Sequence, residues 1–249
     1  PVPTQDHPPL PLHSQPNALP GNICITILHP SRHKGAGVNA DSIDIFIHLV
    51  QANINSTSIN LNFIFNRIYQ NNLPPPIKRY FTDVYLFCLH KDPLDKSKLR
   101  PLGIPTAIRC LIASHVAHTF REKFARHMLP FNYAVGTPNG TNLIINTMQL
   151  QVEKYITLPQ SKNILPSRAA VFFDLTNQFN SVSRKAFFKV IEDSFPEILL
   201  LTTLFYEQAG TVHHIWADGT WRTLLMEEGV SQGCPLSPIF ASLVVSALL

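Results

Sequence analysis

The chain has 249 residues, 45% hydrophobic and 14% charged, with a formal net charge of +4. That balance excludes an intrinsically disordered chain and supplies enough apolar surface for one large domain or two subdomains. Residues 67–126 carry eleven Lys/Arg against four Asp/Glu, a net of +7, while the remainder nets −3. A basic block of this kind fits a nucleic-acid or triphosphate face, although charge alone slightly favours a solvated helix surface.

Residues 1–22 hold seven prolines and no apolar periodicity, so they read as an extended, disordered leader. Residues 23–79 read as an N-terminal helical segment. In it, Asp41 is placed to cap a helix to about Asn53, with Ile43, Phe46, Ile47 and Val50 on one face. A second helix is predicted over Ser58 to Tyr69, ended by Asn71-Asn-Leu-Pro-Pro-Pro76. Val84 to His90 reads as a strand, Asp92 to Lys98 as a polar turn, and Arg100 to Ile104 as the returning strand. Thr106 then starts a long helix to about Met128, with Ile108, Leu111, Ile112, Val116, Phe120 and Phe124 as its buried stripe.

Gly136-Thr-Pro-Asn-Gly140 breaks the chain before a helix over Thr141 to Tyr155. An apolar strand, Arg168 to Leu175, delivers the carboxylate of Asp174 to its end. Ser183 caps a helix to Phe195, and Pro196 starts the next, to about Gln208. Two β-prone runs, Thr211 to Ala217 and Trp221 to Met226, flank Asp218-Gly219 and predict a hairpin. Pro238 to Leu249 is an apolar helix. The element mixture predicts an α+β fold, with helices packed on an antiparallel sheet.

Two segments carry the chemistry. The first, Asp174-Leu-Thr-Asn-Gln-Phe-Asn180, follows the apolar strand; a strand ending in a lone acid can hold a hard cation by oxygen. The second, Gly229-Val-Ser-Gln-Gly-Cys-Pro-Leu-Ser-Pro238, is a turn-rich entry to a helix. Together they resemble motifs A and B of the reverse transcriptases, closest to the non-LTR retroelement and group II intron-like branch. Arg100-Pro-Leu-Gly-Ile-Pro105 resembles the fingers segment of that branch. The resemblance covers roughly residues 80–249 and implies a fingers-like part over 80–167 and a partial palm over 168–249.

The resemblance implies an RNA-directed DNA polymerase with Mg²⁺ (or Mn²⁺) as cofactor and an RNA template, a DNA primer and dNTPs as partners. It makes Asp174 catalytic and a ligand of both ions, with the Leu175 carbonyl as a further ligand. Phe179 would lie under the incoming sugar and reject a 2′-hydroxyl. Gln232 and Gly233 would face the nucleotide, Arg100 the triphosphate, and Lys91 would be a lesser contact there. Gly136, Asn139 and Gly140 would touch the template strand, though a plain helix–helix turn explains them as well. Arg109 is assigned to the fold.

The family's aromatic-x-Asp-Asp signature does not occur in the chain, and neither Asp193 nor Asp218 sits in a context that replaces it. One carboxylate does not clamp two ions. The chain therefore reads as a fragment, inactive alone. Two other readings stay open: an RNA-templated RNA polymerase, which Phe179 disfavours, and a retroelement remnant that binds nucleic acid without catalysis.

Cys24, Cys88, Cys110 and Cys234 show no pairing pattern, which suits a reduced intracellular protein, nuclear or cytoplasmic. His115 with His118, and His213 with His214, read as structural rather than as zinc ligands. Ile239 to Leu249 is apolar but too short to span a bilayer, and no membrane partner is expected.

Overall fold

The computed structural model describes residues 17–28, 43–90, 92, 94–95, 98–157, 174–216 and 218–248. Small polar residues start four of the described helices. Asn22 accepts from the Cys24 amide and opens α1 (Ile23–Ile27). After α2 (Ile43–Ala52), the Asn53 side chain accepts from the Ser56 amide and opens α3 (Ile54–Tyr69). Such a cap contributes about 1 kcal/mol. It starts α3 four residues before Ser58, ahead of the Asn-rich stretch that obscures the apolar period. The prolines that end α3 also begin a helix, α4 (Pro75–Thr82), because proline suits a first turn whose amide has no partner. Asp41, the proline-rich residues 1–16 and Lys91 lie outside the described residues.

β1 (Val84–His90) and β2 (Leu99–Pro105) form an antiparallel hairpin, Val84 opposite Pro105 and His90 opposite Leu99. Thr106 caps α5 (Ala107–Thr119), which is followed directly by α6 (Arg121–Met128). The one long helix expected here is thus two, divided at Phe120, whose φ of −94° and ψ of 9° leave the helical well. Its stripe holds: Leu111, Ile112, Val116 and Phe124 are buried, and Ile108 and Phe120 pack at the edge of the core.

α7 (Gly140–Thr157) exposes every residue from 141 to 154. Then come α8 (Gln178–Ser181), α9 (Arg184–Ser194) capped by Ser183, a 3₁₀ turn (Pro196–Ile198) and α10 (Leu199–Tyr206). β3 (Gly210–Ile215) and β4 (Trp221–Met226) form the second hairpin, and α11 (Ser237–Ser246) closes the described chain.

The fold is α+β, and the strands among the described residues form one four-stranded sheet in the order β2-β1-β3-β4. The sheet is mixed, which corrects the antiparallel expectation. β1 and β3 run parallel through Val84–Val212 and Tyr85–His213. The chain between them is long and largely helical, as a parallel connection requires. Helices α1, α3, α5, α9, α10 and α11 share one core that includes Ile23, Phe65, Leu111, Phe187, Phe205 and Phe240. Each such side chain contributes roughly 1.5–3 kcal/mol on burial.

Two polar residues lock the helices together. Arg109 is fully buried; its Nη1 donates to the Phe81 carbonyl at 2.6 Å, and its guanidinium lies 4.5 Å from the Phe205 ring centre. His115 bonds the Pro20 carbonyl through Nε2 and the Thr26 hydroxyl through Nδ1, both at 2.7 Å. With Nε2–H donating to the carbonyl, Nδ1 can accept from the Thr26 hydroxyl, and burial lowers the pKa of the ring below the ordinary value. His213 and His214 are held by Asp83 and the Leu86 carbonyl. None of the four cysteines is in a disulfide. Among the described residues, no helix is long and apolar enough to cross a membrane.

Candidate functional site

The segment Gly229–Pro238 is held from two sides by backbone hydrogen bonds. On one side the Gly229 amide donates to Val182 O at 3.1 Å, and the Val230 amide donates to Phe179 O at 2.7 Å. On the other the Gly233 amide donates to Gly103 O, in β2, at 3.0 Å. The approaches are close enough to require glycine. Gly229 has φ +74°, and a Cβ there would overlap the Asn180 carbonyl oxygen and lie 2.5 Å from its carbon. A Cβ on Gly233 would lie 2.7 Å from Gly103 O. The segment then enters α11 through Pro235 and Pro238, with Ser237 Oγ donating back to Ser231 O at 2.6 Å.

Arg184 fixes the same segment from beneath. It is buried, and its guanidinium donates to four backbone carbonyls: Gly229 at 3.1 Å, Met226 at 2.8 Å, and Tyr206 and Gln208 at 3.2 Å each. One side chain thus ties the start of α9 to the end of α10, the end of β4 and the glycine loop. Burial pushes its pKa down to about 10, so it remains charged at pH 7. No motif in the sequence marks Arg184. Its only local signal is an arginine directly after the Ser183 cap, in a helix whose neighbours are apolar.

These connections enclose a cleft of about 340 Å³, lined by Gln232, Ser231, Asn180, Gly103, Val84 and Val212 among others. Its charged lining residues are Glu227 and Glu228. A phosphate entering such a cleft is repelled unless cations accompany it. No cluster of three or more His, Cys, Asp or Glu forms among the described residues. A larger cavity, about 430 Å³, lies between α4, α10 and the β3–β4 hairpin, and none of the candidate residues lines it.

The structure brings together some of the candidate residues and separates others. Asp174 and Leu175 are exposed, in irregular backbone just before the Thr176-Asn177 turn. The apolar run expected to carry them as a strand lies outside the described residues. Asn177 adopts φ +55° and its carbonyl accepts from the Asn180 and Ser181 amides, which closes α8. Phe179, the next turn on, is half-buried against the shared core, so packing as well as any ligand explains its ring. Asn180 and Gln232 meet in the cleft; Phe179 and Asp174 do not line it.

Arg100 stands opposite Leu89 in the hairpin and is exposed. Pro101 and Gly103 line the cleft, and strand alternation turns Arg100 to the other face of the sheet. Gly136, Asn139 and Gly140 form the turn between α6 and α7. Gly136 O accepts from Arg121 Nε at 3.3 Å, and Asn139 Oδ1 accepts from Asn142 Nδ2 at 3.2 Å. No family model matches the chain, and no curated protein matches it.

Proposed function

We propose that the chain supplies the fingers and part of the palm of a reverse transcriptase, an RNA-directed DNA polymerase of a retroelement. One observation carries the reading. The Gly229–Pro238 segment is bonded to residues 179–182 on one side and to β2 on the other. The three stretches that resemble polymerase motifs are far apart in sequence and meet around one cleft.

In such a polymerase a primer 3′-hydroxyl attacks the α-phosphate of a dNTP and pyrophosphate leaves. Mg²⁺, if bound, would supply charge stabilisation for this transfer. Asp174 and the Leu175 carbonyl are exposed oxygen donors, which suit a hard cation. Gln232 offers both an N–H donor and a carbonyl acceptor to a base or sugar. Glu227 and Glu228 disfavour a bare triphosphate, so nucleotide binding should depend strongly on the metal.

Phe179 tests the sugar specificity. With an oligo(rA)·oligo(dT) hybrid and Mg²⁺ present, the chain should bind dTTP at least tenfold more tightly than UTP. Phe179→Ala should bring the two affinities within about threefold, because the ring that meets the 2′-hydroxyl is gone. Equal affinities in the unaltered chain, or an unchanged ratio in a folded variant, would contradict the assignment.

A further inference from the structure

The sheet has a second face, and it is aromatic. Val84, Leu86, Val212 and Leu224 line the cleft. Strand alternation and register therefore set Tyr85, Phe87, His213, Trp221 and Thr223 on the opposite side. The rings bear this out. Tyr85 stacks on His213 with centroids 5.1 Å apart, and meets Trp221 edge-on at 6.0 Å. Asp83 holds the His213 ring in place at 3.1 Å. Yet Phe87 is 44% exposed and Trp221 56%. Large apolar rings left open to water on a β-sheet mark an interaction surface rather than a core.

Positive charge bounds this strip at both ends. Arg100 lies on the same face, opposite Leu89. At the other end Thr211, also of this face by register, borders the 430 Å³ cavity whose opposite wall carries Lys78 and Arg79. Neither cation forms an ion pair among the described residues. Glu207 is the one acid lining that cavity among the described residues. Rings spaced along β1, which is roughly 20 Å long, with guanidinium groups at each end complement a polymer of flat bases and anionic phosphates.

We propose that this face binds single-stranded nucleic acid outside the cleft. Unpaired bases stack on Tyr85, Phe87 and Trp221, and the phosphates are drawn to Arg100 at one end and to Lys78 and Arg79 at the other. A duplex keeps its bases stacked within and offers the rings nothing. Every base has a stacking face, so RNA and DNA share the required chemistry. The surface is independent of the nucleotide reading, since no cleft residue belongs to it except through the shared strands.

Fluorescence anisotropy with labelled oligo(rU) and oligo(dT) 12-mers tests it. The chain should bind at least one of them, more weakly as salt rises. Tyr85→Ala and Trp221→Ala should each weaken binding roughly tenfold, while Trp221→Phe stays within about threefold. Gln232→Ala should leave oligonucleotide binding unchanged, which separates this site from the cleft. The two oligonucleotide arms show which strand the face takes. Unaltered affinity in both alanine variants would overturn the proposal, as would equal competition by duplex. So would a chain that binds neither oligonucleotide and instead dimerises in sedimentation through a contact that Trp221→Ala abolishes.

Discussion

Replacing Arg184 by alanine should destabilise the folded protein by about 3–5 kcal/mol. The substitution leaves the Gly229, Met226, Tyr206 and Gln208 carbonyls without their donor. It also empties the space beneath the Tyr206 ring, whose centre lies 5.4 Å from the guanidinium. For a chain of this size the melting temperature should fall on the order of 10 °C. Arg184→Lys should recover only part of the loss, because one ammonium group does not reach all four carbonyls as the guanidinium fork does. A thermal melt of the alanine variant within 2 °C of the unaltered protein would show that the guanidinium network does not hold the site together.

Gly229→Ala should break the wall of the cleft. The position combines φ +74° with a Cβ that would overlap the Asn180 carbonyl oxygen and approach the Asn180 Cα to 2.7 Å. The neighbour is backbone, so no side chain can swing aside. Relief requires separating residues 229–230 from 179–182, at the expense of the Gly229–Val182 and Val230–Phe179 hydrogen bonds. We expect a cost of about 3 kcal/mol or more, combining left-handed strain with overpacking. Nucleotide affinity should fall at least tenfold even where the variant is folded. Gly219 supplies the control. Its φ is +79°, but nothing lies within 4 Å of its Cβ position, so Gly219→Ala should cost only about 1 kcal/mol. Equal melting temperatures for the two variants would contradict the close approach at Gly229.

The local signals in the sequence foretold much of the fold. Ser183 and Thr106 cap their helices as their hydroxyls predict, Asp218-Gly219 turns a hairpin, and the Leu111–Val116 stripe faces the core. What escaped depends on distant partners. The five residues of α1 are too few to show a period. The parallel pairing of β1 with β3 rests on residues more than a hundred positions apart, and no local pattern reports it. The break at Phe120 leaves the apolar stripe continuous, so the pattern does not reveal it.

The site divides in the same way. The glycines and prolines of 229–238 were readable as a turn into a helix. That Gly233 bonds to Gly103 and Val230 to Phe179 was not, because nothing near either residue names its partner. Arg100 shows a different limit. Its strand was foreseen, but which face it takes follows from the phase of β2 against the cleft, fixed by Gly103 meeting the loop. Arg184 bonds to four carbonyls on two distant stretches, 206–208 and 226–229, and leaves no motif behind.

We propose that Asp174, which does not line the cleft, and Gln232, which does, serve one metal-dependent deoxynucleotide site. Calorimetric titration of dTTP into the chain with the oligo(rA)·oligo(dT) hybrid, with and without Mg²⁺, tests it most directly. Binding should require Mg²⁺, Asp174→Asn should abolish that requirement together with most of the affinity, and Gln232→Ala should weaken binding at least tenfold with the metal dependence intact. Affinity that is the same with and without Mg²⁺, or the same in Asp174→Asn as in the unaltered chain, would contradict the account.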